Sequence, residues 1–455
     1  MLPDDALLEV FYLYVNDEEH WLQEAWQTLV HVCRRWRSLV FGSPHSLNLQ
    51  LICGHRTRVR DMLDLWPPFP LVIESCISCG RPSVDNIVAV LEHRSRVCRI
   101  RIRGISSSGL EKVLAAMQEP FPELTQLELE HGSYAETATV LPDSLLGGSA
   151  PRLRILYFRG IPYPRLPKLL LSATHLTNVF LSHIPHSGYF SPDAIATALS
   201  TLTRLGDLYL GFESPLSLPD QETRLPPSPK RFVLPVLTKF WFKGVSEYLN
   251  DLLAHINAPR LKILDITFFN QVLFNTPQLI QFINRTSALK APEKARVIFI
   301  ESSWSVIELS SRAADFRDLS VTILCERLDW QVSALEQVCT LCLPHLSTLE
   351  DLYMRSNWQD NVENALWPEL FQPFAAVKNL YLSRAFAPRI VPSMQELVGE
   401  RTTEVLPALQ NIFLEGLETS GPIQEGIQQF AARQQASHPI AVSSWGGGST
   451  ESMID

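Results

Sequence analysis

The most regular pattern along the chain is a six-residue frame whose first, fourth and sixth positions are apolar. Copies of this frame begin at Val97, Leu124, Leu153, Leu176, Leu205, Leu237, Leu261, Leu349, Val377 and Leu409. The last two apolar positions are separated by one residue, which is the period of a β-strand with one buried face. The first apolar position would anchor the turn that leads into the strand. Each copy therefore predicts one short strand.

Helical periodicity fills many of the gaps between these strands. Apolar residues recur at three- and four-residue steps over 246–256, 277–283 and 330–343, which predicts amphipathic helices. The frames from 97 to 261 begin 27, 29, 23, 29, 32 and 24 residues apart, close to the roughly 20–29 residues of a leucine-rich repeat. Each strand-and-helix unit leaves apolar edges that only a neighbour can cover, so the units are expected to stack.

These features resemble leucine-rich-repeat proteins over residues 90–420. The resemblance implies an α/β solenoid, an irregular horseshoe with parallel strands on its concave face and helices outside. The frame is hidden between Phe269 and Ser320, where 297–300 and 321–324 predict two more strands. An ordinary α/β domain with parallel strands is the alternative.

The first 50 residues differ from the repeats. Pro3, followed by two aspartates, marks the start of a helix. Apolar residues then recur from Leu7 to Tyr12 and again from Trp26 to Val40. A helical segment this small cannot close a core alone, so its apolar side chains need a partner surface or the adjoining repeats.

Leu2-Pro3, Leu7-Leu8-x-x-Phe11 and Val32-Cys33-x-x-Trp36 resemble the F-box motif, in the version found in F-box-like proteins of mushroom-forming fungi. The resemblance implies a small all-α module that binds a Skp1-type adaptor and, through it, a cullin. The matching positions, which face the adaptor or the motif's own small core, are Leu2, Pro3, Leu7, Leu8, Phe11, Val32, Cys33 and Trp36.

Two features depart from the common F-box motif. The segment Tyr14 to Glu24 is several residues longer, and Asn48 stands where many F-boxes carry a tryptophan. In the alternative interpretation, the N-terminal segment only caps the end of the solenoid.

Together, the two resemblances divide the chain into four parts. They are an F-box at 1–50, a linking segment and start of the solenoid at 51–95, the repeat solenoid at 96–420, and a C-terminal helix with a flexible tail at 421–455. The tail is predicted to be flexible because serine and glycine dominate 443–449.

The residue between the last two apolar positions of each frame is expected to point outward from the sheet. In chain order these residues are Arg101, Glu128, Tyr157, Phe180, Tyr209, Trp241, Asp265, Tyr353, Tyr381 and Phe413. Most are aromatic in a chain that is only 9% aromatic. We expect them to bind a protein target, because aromatic side chains dominate interface energetics. The alternative is the ordinary preference of aromatic residues for strands.

An arginine trio, Arg99, Arg101 and Arg103, lies on the first frame strand. Guanidinium groups pair with carboxylate and phosphate groups, so this trio is predicted to bind acidic or phosphorylated residues of the target. The alternative is a solvated strand face.

Composition argues against several classes of protein. A net charge of −9 argues against a general nucleic-acid binder, and 46% hydrophobic residues argue against a disordered chain. The opening residues do not read as a secretory signal, and no apolar run is long enough to span a membrane. The protein is therefore expected in the cytoplasm or nucleus.

Motifs of catalysis and cofactor binding are missing. The sequence holds no GxxxxGK[ST], HExxH, GxSxG or GxGxxG pattern, so no cofactor is expected. The CxxC pairs Cys76–Cys79 and Cys339–Cys342 lie far apart and lack histidine in ligand spacing, which favours buried thiols over metal ligands. The sequence thus predicts a non-catalytic substrate-recognition subunit of a Skp1-cullin-F-box ubiquitin ligase. The alternatives are an interaction scaffold with a degenerate F-box and an enzyme whose site is assembled across repeats.

Overall fold

The protein divides into two compact units, unit 1 (Met1–Leu205) and unit 2 (Gly206–Asp455). The computed structural model describes residues 2–15, 25–44, 46–47, 49–53, 59–65, 67–75, 83–132, 139–215, 231–271, 274, 276–289, 292–300, 303–311, 318–343, 345–357, 367–396, 405–416, 421–434 and 440–446. In that part of the chain, no helix is long and apolar enough to cross a membrane. Asn48, Cys76, Cys79 and most of the long F-box middle lie outside the described residues.

Unit 1 begins with the helices α1 (Asp4–Val15), α2 (Ala25–Val32) and α3 (Arg34–Gly42). Two aspartates occupy the first turn of α1, at the positive end of the helix dipole. Cys33 separates α2 from α3 with an extended backbone, and its Sγ accepts a hydrogen bond from the Trp36 N–H at 3.5 Å. The helices pack through the ring of Phe11, which lies edge-on to Trp36 with 4.7 Å between the centroids.

The sheet of unit 1 grows strictly in chain order, and each strand is parallel to the one before it. Its strands are β1 (Leu51–Cys53), β2 (Leu71–Ser75), β3 (Val97–Ile105), β4 (Gln126–His131), β5 (Ile155–Arg159) and β6 (Asn178–Ile184). Parallel neighbours need crossover connections. The helical crossovers are α4 (Val59–Leu65), α5 (Val84–Leu91), α6 (Ser107–Ala116) and α7 (Leu166–Ser172), and α8 (Pro192–Leu199) follows the last strand.

Serine caps set where two of these helices begin. The Oγ of Ser106 accepts a hydrogen bond from the N–H of Gly109 at the start of α6. The Oγ of Ser191 accepts one from the N–H of Ala194 at the start of α8. Each cap satisfies a donor that the first helical turn leaves unpaired.

Unit 2 repeats the strand-and-helix plan with one interruption. Its strands are β7 (Asp207–Phe212), β8 (Phe232–Val233), β9 (Lys239–Gly244), β10 (Ile256–Asn257), β11 (Ile263–Phe269), β12 (Lys294–Ile300), β13 (Trp304–Ser310), β14 (Leu319–Leu324), β15 (Asp351–Ser356), β16 (Asn379–Leu382), β17 (Asn411–Glu415) and β18 (Ala441–Trp445). The main sheet runs β7-β9-β11-β14-β13-β12-β15-β16-β17-β18, and β8 pairs separately with β10.

Helices lie between many of the strands of unit 2 along the chain. They are α9 (Ser246–His255), α10 (Pro277–Arg285), α11 (Leu328–Leu341), α12 (Trp367–Phe371), α13 (Ala387–Glu396) and α14 (Pro422–Gln434). The helices predicted at 246–256, 277–283 and 330–343 are confirmed as α9, α10 and α11.

The interruption in unit 2 is an antiparallel insertion. β13 pairs antiparallel with both β12 and β14, and β14 takes the place beside β11. The expectation of parallel strands throughout is therefore wrong between 294 and 324. The strands predicted at 297–300 and 321–324 are present, but β13 was missed. Its side chains are nearly all buried, on both faces, so it lacks the alternation that marks a frame.

The frame residues form the core. Every frame becomes a strand, and its alternating leucines and isoleucines are buried, as with Leu127, Leu129, Leu264 and Ile266, all 0% exposed. Their side chains pack against the helices and against the frames of adjacent repeats. The α/β repeat architecture predicted from the frame is thus present within each unit.

The C-terminal segment differs from the expected helix and flexible tail. The helix is α14, but Ser443, Ser444 and Trp445 belong to β18, which pairs parallel with β17. A strand forms here because β17 offers an unpaired edge and Trp445 has aromatic neighbours on which to pack. Residues 447–455 lie outside the described part.

The core assignment predicts unequal costs for two leucine truncations in unit 2. Leu264→Ala removes a fully buried frame residue and should lower the free energy of unfolding by about 2–4 kcal/mol, because it leaves a cavity. Leu341→Ala removes a side chain that is 44% exposed and should cost less than about 1 kcal/mol. Urea unfolding of both variants measures the difference. Equal costs would contradict the assignment of the frame to the core.

Candidate protein-interaction surfaces

The N-terminal helices present apolar side chains to solvent. Leu2 is 59% exposed and Val32 is 56% exposed, while Pro3 and Cys33 are also exposed and Leu8 and Trp36 are half-buried. We call these residues the N-terminal apolar face. Further along α1, Val10, Tyr12, Leu13 and Tyr14 are exposed as well. Exposed apolar residues concentrated on one small module are typical of a binding surface.

Leu7 and Phe11 are a correction to the predicted adaptor contacts. Their side chains are 6% and 1% exposed, because they pack inward against α2 and α3. In the free chain they belong to the core of the module. The sequence match left open whether each position faced the adaptor or the module's core, and burial decides the question for these two.

Arg35 ties the start of the chain to α3. Its Nη2 donates to the carbonyl oxygen of Leu2 at 2.7 Å, and its Nε donates to Oδ1 of Asp4 at 3.1 Å. Val32 and Cys33 lie three and two residues before Arg35 in the sequence, so these hydrogen bonds hold the Leu2-Pro3 pair near the same end of α3. The N-terminal apolar face is therefore assembled from both ends of the motif.

The arginine trio is largely neutralised within its own sheet. Arg101 donates to Glu74 Oε1 on β2 at 3.0 Å and to Glu128 Oε2 on β4 at 2.8 Å. Arg103 donates to Glu128 Oε1 at 2.7 Å. The carboxylates raise the pKa of Arg101 against the opposing effect of burial, which is the largest single influence. Only Arg99 of the trio has no carboxylate partner among the described residues. Binding of an acidic target by the whole trio stays a prediction, and it would require the target to displace Glu74 and Glu128 from Arg101 and Arg103.

Stacked aromatic rings follow the outward positions of neighbouring strands. In unit 1, Tyr157 on β5 stacks on Phe180 on β6 with centroids 4.6 Å apart and planes nearly parallel. In unit 2, Tyr381 stacks between Tyr353 at 4.2 Å and Phe413 at 4.5 Å. Such spacings match the separation of adjacent strands. The rings therefore cover one another's faces and present their edges to a partner.

Tyr209 and Trp241 also take half-exposed outward positions, on β7 and β9 of unit 2. They lie at the same level of the sheet, because the register pairs these two residues. The Nζ of Lys239 lies 5.9 Å from the ring centroid of Trp241, a cation–π contact. A target would meet an aromatic surface with a positive charge beside it at this point.

Trp445 extends the aromatic surface of unit 2 and was missed from the sequence. From β18 its ring lies edge-on to Tyr353 and Tyr381, with centroid distances of 6.0 and 5.6 Å. The guanidinium of Arg355 lies 5.8 Å from the Trp445 ring. We call Tyr353, Tyr381, Phe413 and Trp445 the aromatic cluster. The glycine-rich sequence around Trp445 hid it, since it carries no frame.

A row of polar side chains runs beside the aromatic cluster. Asn379 Nδ2 donates to Asp351 Oδ1 at 2.7 Å, and Asn411 Nδ2 donates to Asn379 Oδ1 at 2.8 Å. These residues stand two positions before the stacked rings on the same strands, so they share the outward face. A signal was available in the sequence, because each residue directly precedes the fourth position of its frame.

Tyrosine hydroxyls in the aromatic cluster stay protonated far above neutral pH. Burial raises the pKa of Tyr353 to about 12, with further contributions from Tyr381 and Asp351. Burial also raises the pKa of Tyr381. The cluster therefore offers neutral hydrogen-bonding groups rather than phenolates to a partner.

Four of the cysteines that the structure describes, Cys53, Cys325, Cys339 and Cys342, are buried, whereas Cys33 is exposed and Cys98 is half-buried. Cys339 and Cys342 on the α11 side of unit 2 are 1% and 0% exposed. Burial raises the pKa of Cys342 to about 11, and its Sγ accepts a hydrogen bond from the Thr276 hydroxyl at 3.0 Å. Among the described residues, no group of three or more histidine, cysteine or acidic side chains could hold a metal ion.

No protein-family model matches the chain, and no curated protein matches it. Among solved structures, it is similar to the leucine-rich repeat-containing protein LegL7 from Legionella pneumophila over 85% of this chain and 98% of that chain. The identity is 14% and the TM-score is 0.27. Neither value is high enough to assign a fold or a function to this chain. The repeat architecture rests on the strand order and burial within this chain.

The ion-pair network of unit 1 predicts a stability effect. Glu128→Gln removes the carboxylate shared by Arg101 and Arg103, and the Glu128 side chain is only 4% exposed. The free energy of unfolding should fall by about 2–3 kcal/mol, because Arg101 and Arg103 both lose a nearly buried carboxylate and Arg101 keeps only Glu74. The matched control is Glu123→Gln, whose pair with Arg152 is exposed on both sides and should change stability by less than about 0.5 kcal/mol. Chemical denaturation measures the free energy of unfolding of both variants. An equally small decrease for both would show that the ion-pair network does not stabilise the fold.

Proposed function

We propose that the chain is the substrate-recognition subunit of a Skp1-cullin-F-box ubiquitin ligase. The N-terminal apolar face would bind the Skp1-type adaptor, and the outward faces of the repeat sheets would bind a protein target. The exposure of Leu2 and Val32, at opposite ends of the F-box-like motif, is the observation that carries the proposal. Solvent-exposed apolar side chains cost free energy in the isolated protein, and a partner that covers them recovers it.

The mechanism is recruitment without bond chemistry in this chain. Binding the adaptor at one surface and a target at another would hold target lysines near the ubiquitin-charged enzyme of the ligase. Tethering of this kind raises effective concentrations to about the millimolar range for short spans. Parallel strands joined by buried frames give a stiff support, which limits the conformational freedom lost on binding.

The aromatic cluster of unit 2 is the strongest candidate for target binding. Tyr353, Tyr381, Phe413 and Trp445 are half-buried, so each keeps part of its surface for a partner. Stacking fixes their rotamers before a target arrives, and preorganised side chains lose little entropy on binding. The polar row from Asp351 to Asn411 would add hydrogen bonds and orientation.

The second candidate function is a non-catalytic interaction scaffold with a degenerate F-box. Asn48 in place of the usual tryptophan, together with the long middle of the motif, favours it. In that case the outward faces would still bind a protein, but no adaptor would join the complex. Adaptor binding separates the two candidates directly.

Adaptor binding should depend on the N-terminal apolar face. In a titration of the full chain with a purified Skp1-type adaptor, Leu2→Asp with Val32→Asp should weaken binding at least 100-fold, because both carboxylates would be buried without partners. The control is Leu171→Asp, which adds a carboxylate at a leucine that is 46% exposed on α7, and it should bind as the wild type does. Circular dichroism verifies that all variants remain folded. If the folded wild type fails to bind, the scaffold function replaces the ligase function.

Target binding should depend on the aromatic cluster. In a cell lysate supplemented with the reconstituted ligase, wild-type chain should promote ubiquitination of a defined set of proteins. Tyr381→Ala with Trp445→Ala should abolish it for that set while adaptor affinity stays unchanged, since the cluster and the N-terminal helices belong to different elements. Quantitative mass spectrometry of ubiquitinated peptides is the measurement. An unchanged set of modified proteins would remove the cluster from the target site.

A further inference from the structure

Two arginines of unit 2, Arg285 on α10 and Arg231 just before β8, place their side chains at α10. Arg231 Nε donates to the carbonyl oxygen of Ala254 at 3.2 Å, and its Nη2 reaches Oε1 of Gln281 at 3.2 Å and Oε1 of Gln278 at 3.4 Å. Arg285 is the last residue of α10. Residues three and four apart are neighbours on a helix surface, so Gln278, Gln281 and Arg285 share a face. Both guanidinium groups therefore border the same strip of surface.

Arg285 has unused hydrogen-bonding capacity. Its Nε and Nη2 are shielded from solvent and donate to no acceptor among the described residues, although the side chain as a whole is only half-buried. Burial lowers the pKa of Arg285, and the positive charge of Arg231 lowers it further. Among the described residues, neither arginine forms an ion pair with a carboxylate. A guanidinium in this setting is costly unless an acceptor reaches it.

The arginine trio of unit 1 has carboxylate partners that the two arginines at α10 lack among the described residues. There, Glu74 and Glu128 occupy the donors of Arg101 and Arg103. At α10 the side chains that contact Arg231 are the glutamines Gln278 and Gln281, which are neutral, and no carboxylate in the described part of the chain pairs with either arginine. The oxygen of the Gln281 amide accepts from Arg231, which leaves the amide nitrogen as the group that would donate to an anion.

We propose that Arg231 and Arg285, with the amide of Gln281, form a binding site for a phosphate group. Two positive charges match the roughly two negative charges of a phosphate monoester near neutral pH. Its oxygens can accept charge-assisted hydrogen bonds from both guanidiniums at once. Bound phosphate would replace the repulsion between the arginines with two attractive pairs. The site belongs to the helical layer, so it goes beyond the proposed target face and does not depend on it.

The first experiment is a titration of the full chain with inorganic phosphate, followed by thermal unfolding at constant ionic strength held with sodium chloride. A ligand that binds only the folded state raises the melting temperature in proportion to the logarithm of its concentration above Kd. The wild type should show this rise at millimolar phosphate. Arg285→Gln and Arg231→Gln should each weaken phosphate binding at least tenfold.

Arg260→Gln is the matched control, because Arg260 is an exposed arginine of the same unit on another segment. It should respond to phosphate as the wild type does. In the absence of phosphate, Arg285→Gln should melt at the same temperature as the wild type or higher, since it removes an uncompensated charge. A lower melting temperature, with an unchanged phosphate response, would assign Arg285 a purely structural role and overturn the proposal. No phosphate response in the wild type would overturn it too.

A parallel titration with O-phosphoserine, and with serine as its control, identifies the source of the phosphate group. Tighter binding of phosphoserine than of inorganic phosphate would indicate a site for phosphorylated side chains. Tighter binding of inorganic phosphate would indicate a site for the free anion. Either result, when lost in Arg285→Gln, supports the site.

Discussion

Burial of one repeat's apolar frame by the next repeat is the interaction on which the structure depends. A strand such as β4 has its leucines fully buried, yet it is only six residues long and cannot enclose them. The strands on either side and the helical layer supply the cover. Because the frame residues of β3, β4 and β5 pair in register, the same frame position recurs at the same level of the sheet. This constraint explains both the core and the outward surface.

The outward side chains pair with their neighbours for the same geometric reason. Residues in register on parallel strands lie one strand spacing apart. This distance suits ring stacking between Tyr353 and Tyr381, the side-chain hydrogen bonds of Asn379 and the ion pairs of Glu128. These contacts stabilise adjacent repeats and use up part of each side chain's capacity to bind a partner. What remains for a target is the ring edges, the neutral hydroxyls and the aromatic cluster around Trp445.

The sequence predicted what is periodic and missed what is not. The frame predicted strands such as β5 and β16, because alternating apolar residues indicate a strand with one buried face. Apolar residues at three- and four-residue steps predicted α9 and α11. β13 was missed because it is buried on both faces, and β18 because a strand of serines beside glycines carries no frame. The ion pairs of the arginine trio were not foreseen, because no local sequence pattern shows that Glu74 and Glu128 lie beside it. The sequence also gave no sign that Arg231 and Arg285 lie near each other. They are far apart in sequence, and both lie at α10 in the structure.

We propose that separate surfaces of the chain bind an adaptor and a target. Hydrogen–deuterium exchange of the full chain, with and without a purified Skp1-type adaptor, distinguishes these surfaces. Amide exchange should slow in α1, α2 and α3 when the adaptor is present, and should stay unchanged in β15, β16 and β17. Protection on those strands, or none on the N-terminal helices, would contradict it.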